Sequence, residues 1–452
     1  MTSSPSHGAG SAARQSSTAA VAETDTQRHV NGRRRRLLMV ARDFPPASTS
    51  AALRALKFTR HLSECSWDVS VVTARAGFSR RMDPALLRDV PPGCRVHSAY
   101  GFDTKAVLSI RNRYLRLLAT PDRDVSWLPH GILSSLRAWR TEQPDALLST
   151  SPPVTAHCIG LAVKRITKLP WVVELRDAWN LDVPSGPLSR RFDRRLERHI
   201  LLAAARIVVT TDGLAADLEQ RLGPRVGRKV AVVHNGYDEE AFARVPPRPV
   251  SSAPFRIAHT GQCTPPERDP VPFLQAVRRC LDRGELPADI EVLFVGAGPS
   301  FTTQLADQLR RLRLESNVRS TRPLPHAEAL QAMLDASVLL VLQNRDAHRH
   351  AIPAKAYEYL RSGACMLVIA PPLSATAELL SRFPGVVQAT PTDAEQIAQR
   401  LAEAYRRWKE AAGELRFARC IDAYSSRQLA VNLARLLDEL VTTRDAERSG
   451  AS

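Results

Sequence analysis

Two runs of alternating strand-sized apolar segments and helical segments, separated by a proline-rich stretch, constrain this chain more than any other feature. In the first run, strands are expected at 37–41, 69–73, 146–150, 171–175, 207–210 and 230–233. Helices are expected between them at 51–62, 154–167, 191–204 and 212–222. The alternation stops at the segment VPPRPVSSAP (245–254) and then restarts. Strands are expected at 255–260, 290–295, 338–342 and 366–370, with helices at 271–282, 301–312, 326–336, 354–361 and 393–412. Short, continuously apolar strands alternating with helices are the signature of parallel sheets covered on both faces. The sequence therefore predicts two Rossmann-like α/β domains. Their boundaries fall at 36–243 and 255–415, with a linker at 244–254. A terminal helix is expected at 416–442, where Leu429, Leu433, Leu436, Leu437 and Leu440 fall at helical spacing. Residues 1–35 form a basic tail rich in Ser, Ala, Thr and Gly, read as disordered like residues 443–452. A ligand is expected in the cleft between the domains, at the carboxyl ends of the strands.

Composition removes other classes. A length of 452 residues exceeds one ordinary core and fits two domains. No apolar run approaches the ~20 residues of a spanning helix, and the first residues lack the apolar core of a secretory signal, so a cytoplasmic address is expected. The seven cysteines are scattered singly, without a CxxC pair, which argues against structural zinc and a disulfide framework. The net charge of +17 calls for an anionic partner. The basic residues, however, are seven lysines against 56 dispersed arginines, with no basic stripe interleaved with aromatics. Nucleic acid is thus a disfavoured partner. The run Arg33–Arg36 reads as a solvated flank of the first strand, with anionic lipid head groups as its alternative contact.

The most informative segment is IPAKAYEYLRSG (352–363). Pro353 suits a helix start and Gly363 its end. Lys355 and Glu358, three apart, share a face. The helix N-terminus and Lys355 suit a phosphate, and Glu358 suits the two hydroxyls of a ribose. A surface ion pair on an amphipathic helix explains the same spacing.

The longer run IPAKAYEYLRSGACMLVIA resembles the donor-site segment of GT-B glycosyltransferases of glycosyltransferase family 4. The resemblance implies two Rossmann-like domains facing a central cleft, with a C-terminal helix packing back. It implies that Glu358 binds the nucleotide ribose and that Gly363 ends the helix. The family's second glutamate is His350 here, placed at the donor sugar. The segment IAHTGQCTPPER (257–268) resembles the loop that grips the donor diphosphate, with Gly261 in its turn and Arg268 as the basic residue. Gln262 stands where relatives carry a further basic residue. The N-terminal segment 43–57 resembles the acceptor-side loop, with Ser48 in the turn and Arg54 on the helix; the exposed-charge reading of Arg54 stays open. STSPPVTAH (149–157), WVVELRDAW (171–179) and HNGYD (234–238) resemble further family elements. Arg176 and Asp177 stand where relatives place a histidine beside the reacting carbon. Asp177 is the candidate proton acceptor or charge stabiliser; Arg176 orients it, or the two form a structural ion pair. The implied reaction moves a sugar from an NDP-sugar to a hydroxyl, retaining the anomeric configuration and using no metal or other cofactor. Cell-surface polysaccharide or glycolipid synthesis is a setting consistent with it, with a lipid-linked acceptor and contact with the inner face of the membrane. The rivals are a GT-B sugar-nucleotide epimerase and a basic, non-catalytic nucleic-acid-binding protein.

Overall fold

The computed structural model describes residues 29–30, 33–75, 82–104, 107, 120–179, 187–246, 254–297, 301–411 and 415–449. Most of the expected tail, most of the linker, positions 298–300 and residues 450–452 lie outside these.

The N-terminal sheet has strands β1 (Arg33–Ala41), β2 (Trp67–Ala74), β3 (Arg95–Ala99), β4 (Ala146–Ser151), β5 (Trp171–Leu175), β6 (Arg206–Val209) and β7 (Val230–Val232). All run parallel in the order β3-β2-β1-β4-β5-β6-β7, and the two-residue strand His29–Val30 pairs antiparallel with β1. Helices α1 (Ser50–Glu64), α2 (Trp127–Glu142), α3 (Thr155–Thr167), α4 (Pro187–Ala203), α5 (Asp212–Leu222) and the one-turn α6 (Pro224–Gly227) flank it. The C-terminal sheet, also parallel, runs β10-β9-β8-β11-β12-β13. Its strands are β8 (Arg256–Thr260), β9 (Glu291–Val295), β10 (Val318–Ser320), β11 (Val338–Leu342), β12 (Cys365–Ile369) and β13 (Val386–Ala389). The later helices are α7 (Glu239–Ala243), α8 (Val271–Asp282), α9 (Phe301–Leu312), α10 (His326–Leu334), α11 (Lys355–Ser362), α12 (Ala375–Leu380), α13 (Ala394–Glu410) and α14 (Ser426–Ser449). Both sheets are doubly wound, and in such sheets ligands lie beyond the carboxyl ends of the strands. Among the described residues no helix is long and apolar enough to cross a membrane.

Several expectations need correction. The arginine run is not a solvated flank: it is the start of β1. Arg33 pairs with Asp145 at 2.6 Å, Arg34 with Asp68 at 2.7 Å and Arg35 with Asp438 at 2.5 Å, while Arg36 donates to the Glu142 carbonyl. Those guanidiniums already have partners inside the molecule. The terminal helix begins ten residues later than expected and continues to Ser449, so 443–449 is helical. It lies across the N-terminal domain. Leu433 and Leu437, fully buried, pack with Phe58, Leu62 and Trp67, and Asp438 also accepts from the Trp67 indole at 3.0 Å.

The domain boundary shifts as well. Tyr237, Phe242 and Val245 pack in a core cluster with Met333, Tyr357 and Leu360 of the C-terminal domain. The chain thus crosses between domains at Gly236–Tyr237. It crosses back at Tyr424–Ser426, immediately alongside. The Tyr237 N–H donates to the Tyr424 carbonyl at 3.1 Å, and the Ser426 N–H to the Tyr237 carbonyl at 2.8 Å. A Cβ at Gly236 would meet the Tyr424 oxygen at 2.1 Å, so only glycine fits this double crossing.

Helix α11 ends as expected: Gly363 is its C-cap at φ 76°, in the left-handed region. Gly363→Ala should therefore destabilise the protein by about 1–2 kcal/mol, the cost of placing a Cβ residue there. Denaturant unfolding checks this.

Candidate active site

Two adjoining cavities fill the cleft. The first, of about 390 Å³, takes Ser48, Arg54 and Lys57 from the N-terminal domain and Gly261, Arg268, His326, Lys355 and Glu358 from the C-terminal domain. The second, of about 760 Å³, takes Arg176 and Asp177 together with Arg268, Arg345 and His348. Arg268, Asn235, Pro353 and Ala354 line both.

The first cavity is built on the carboxyl end of β8. The Tyr359 hydroxyl accepts from the Thr260 N–H at 2.7 Å, which fixes α11 against that strand end. One turn earlier on the helix, Lys355 Nζ donates to the Thr260 carbonyl at 2.6 Å and to His259 Nε2 at 2.8 Å. His259 Nδ1 lies 2.8 Å from the Leu340 carbonyl, to which it donates, leaving Nε2 as the acceptor. Burial, and then the Lys355 charge, hold His259 well below its ordinary pKa. Lys355 is itself lowered to about 7, first by burial and then by the Arg268 charge. The site is short of negative charge. Ala354 caps α11 without a side-chain bond, and the Ala356 and Tyr357 N–H groups donate to the Pro353 and Ala354 carbonyls at 2.9 and 3.2 Å, so the helix brings the positive end of its dipole to the cavity wall. Among the described residues the Arg268 guanidinium has no hydrogen-bond or ion-pair partner. A Cβ at Gly261 would come to 3.8 Å from Lys355 Nζ, so this turn lies directly over the lysine.

Glu358 accepts from His326 Nε2 at 3.1 Å and faces Lys57 Nζ at 3.8 Å across the cleft. Burial raises its pKa, but the hydrogen bond and charge of His326 and the charge of Lys57 outweigh this, and the carboxyl stays below the usual carboxylate range. An ionised carboxylate in a cavity is an acceptor for a pair of hydroxyls.

In the second cavity the Asp177 carboxylate is exposed at the end of β5. Arg176 does not grip it: Nε donates to the Ser151 carbonyl at 2.9 Å and an Nη to the Pro152 carbonyl at 3.3 Å. The expected ion pair of these neighbours is replaced by a tie between β5 and the end of β4.

Two expected site residues have other roles. His350 lines neither cavity. Its Nδ1 lies against Gly213, where a Cβ would come to 3.1 Å, and its carbonyl accepts from the Thr211 hydroxyl at 2.5 Å. Its ring and carbonyl join the domains. Arg54 is neither an exposed charge nor free for an acceptor: all five of its N–H donors are engaged. They reach Glu174 at 2.9 and 3.0 Å, the Val233 and His234 carbonyls at 2.9 and 2.7 Å, and Asn235 Oδ1 at 3.3 Å. Arg54 clamps α1 to β5 and to the segment after β7. Two wall residues, Lys57 and His326, were not foreseen. Lys57 follows Arg54 by three, on the same helical face, which is a legible signal; His326 opens α10 with no motif around it.

Residues 49–236 match the family model described as "Glycosyl transferase 4-like domain". Over those residues the N-terminal half of the chain is similar to a glycosyl transferase 4-like domain. The match ends at Gly236, where the chain leaves that domain. Solved structures extend the likeness to the whole fold. A glycosyltransferase from Rickettsia africae is similar at 12% identity and a TM-score of 0.62, over 90% of this chain and 99% of its own. Anabaena HepE, solved in complex with UDP and glucose, is similar at 13% identity and 0.60, over 92% and 100%. The UDP-GlcNAc 2-epimerase of Methanocaldococcus jannaschii is similar at 10% and 0.55, over 89% and 99%. No sequence among curated proteins matches the chain. The segment similar to a glycosyl transferase 4-like domain thus lies in the first of two Rossmann-like domains arranged in the GT-B fold.

Proposed function

We propose that this protein is a glycosyltransferase that moves a sugar from a nucleoside-diphosphate sugar to a hydroxyl acceptor. The observation that carries the reading is the convergence of Lys355, Arg268 and the N-terminus of α11 on one cavity wall, with the ionised Glu358 beside them. The first group suits a diphosphate and the second a ribose. The glycosyl transferase 4-like domain opposite supports an acceptor on that side.

In the proposed step the bond from the anomeric carbon to the diphosphate oxygen breaks, and its electron pair leaves on the diphosphate. The acceptor oxygen forms the new bond and loses its proton. Lys355, Arg268 and the positive end of the α11 dipole meet the charge on the leaving group, with no metal required. Stabilising such developing charge is usually the largest single contribution to rate. Asp177 stabilises the positive charge building on the sugar ring and stands to take the acceptor proton. Transfer with retention is the expected outcome, and a lipid-linked acceptor would bring the enzyme to the inner face of the membrane.

A panel of NDP-sugars screened for thermal stabilisation tests the donor site. A ligand at 100 times its dissociation constant adds about 2.7 kcal/mol. No stabilisation by any of them would sink the reading. Incubation with the stabilising donor alone separates transfer from epimerisation, because an epimerase consumes its substrate without an acceptor.

Lys355 gives the site a pH dependence. It is lowered to about 7 in the free protein. A bound diphosphate, already ionised, favours the ammonium and raises that pKa. Affinity should be flat below about 7 and fall as pH rises above it, by up to about tenfold per unit until the raised pKa is passed. Binding near neutrality should take up a proton, measured calorimetrically in buffers of different ionisation heat. Proton release would contradict the assignment.

A further inference from the structure

Helix α4 sorts its charges by face. Its two acidic residues in the described part, Asp193 and Glu197, are buried, and Glu197 is held by Arg221 at 3.0 Å. Arg190, Arg191, Arg194, Arg195 and Arg198 are all exposed. Among the described residues none of the five has an acidic side chain within ion-pair distance. This separates them from the rest of the surface, where exposed arginines are commonly paired, as Arg310 is with Asp307 and Arg283 with Glu395.

The five arginines do not stand in a purely polar setting. At 100° per residue, Arg191, Arg195 and Arg198 point away from the core, and Phe192 and His199 flank them on one side. Phe192 is 49% exposed. His199 contacts Arg165 at the end of α3, which places α3 on that same side. Next to Arg165 stands Ile166, 57% exposed, and then the exposed Lys168. On the other flank α6 adds the exposed Arg225, and its C-cap Arg228 is exposed too. Lys229 ties this end to α4 by donating to the Leu202 and Ala204 carbonyls at 2.7 and 2.8 Å. One face of the N-terminal domain is therefore predominantly basic and carries two projecting apolar side chains, with the exposed Glu219 against α6 as an acidic neighbour.

We infer that this α3–α4–α6 face is a docking surface for a membrane rich in anionic phospholipid. Basic residues near such a surface are each drawn to it by its negative potential, and an aromatic or aliphatic side chain between them inserts at the head-group level. Nucleic acid fits less well, because bases want a row of aromatic platforms, and beside these arginines α4 offers only Phe192 and the His199 imidazole, which is already against Arg165. The placement is also coherent with the site. Helix α4 starts ten residues after Asp177, and in a parallel αβ unit a helix starts at the carboxyl end of the preceding strand. Its arginine-rich first half therefore lies on the cleft side of the domain.

The test is sedimentation of the full chain with phosphatidylglycerol–phosphatidylcholine vesicles, without any sugar nucleotide, so its result is independent of the transfer reading. The protein should pellet with these vesicles at low salt, be released by salt, and ignore pure phosphatidylcholine. The variant R191Q/R194Q/R195Q/R198Q should lose most of this binding. An equal change of charge on the other domain, R311Q/R313Q/R319Q/R406Q, should leave it largely intact. Phe192→Ala should be released at lower salt than the parent. Thermal unfolding of each variant shows that all remain folded. Equal loss in both quadruple variants, retention by the first, or a parent that leaves the vesicles for single-stranded RNA would each overturn the proposal.

Discussion

Asp177→Asn should reduce turnover by about 10²–10⁴-fold, the range usual for loss of a positioned acid–base group, while the donor dissociation constant barely moves. The two effects separate because the residue lines the second cavity, away from Lys355 and Glu358 in the first. The change keeps size and hydrogen-bonding reach and removes only the charge. Asp177 is exposed and carries no ion pair in the described structure, so the fold does not depend on it. Initial rates at saturating donor and acceptor, together with calorimetric titration of the donor, check both halves. Turnover within a factor of about two of the parent would remove Asp177 from the chemistry.

Glu358→Gln should weaken sugar-nucleotide binding by about 1.5–3 kcal/mol, the scale of a hydrogen bond to a charged group. Two consequences add up. The ribose hydroxyls lose an acceptor, and Lys57 and His326 lose the carboxylate that faces them across the cleft. His350→Ala should cost far less, because that imidazole lies against Gly213 and lines neither cavity. Calorimetry with the stabilising donor decides between them. If Glu358→Gln binds as tightly as the parent, the ribose is elsewhere and the donor-site assignment falls with it.

The parallel sheets were legible because fully buried strands such as Leu339 and Leu340 in β11 or Leu367 and Val368 in β12 print unbroken apolar runs. The span from 75 to 145 was not legible. Strand β3 is a largely exposed edge, and α2 starts at Ser126 without a side-chain cap, so neither leaves a pattern. Strands β10 and β13 are short edges and were missed for the same reason. At the site, Lys355, Glu358, Arg268 and Asp177 could be picked from local spacing and resemblance, and all four line the cleft cavities. The role of Arg54 could not, because its partner Glu174 lies 120 residues along the chain. Local sequence says that a helix carries an arginine; only the tertiary fold says where the guanidinium ends. His350 failed in the opposite way, since its position in a motif carries no information about which domain its ring will touch.

Helix α14 is synthesised after the C-terminal domain, yet Leu433, Leu437 and Val441 complete the core on one face of the N-terminal sheet. The domain made first is therefore finished last. Until α14 arrives, Phe58, Leu62 and Trp67 lack their cover, so the emerging chain carries an open apolar face for the whole time the second domain is being made. Cores left open in this way are prone to self-association. Order of synthesis and order of completion run in opposite directions in this molecule, which makes the N-terminal half, expressed alone, a poor substitute for the domain it encodes.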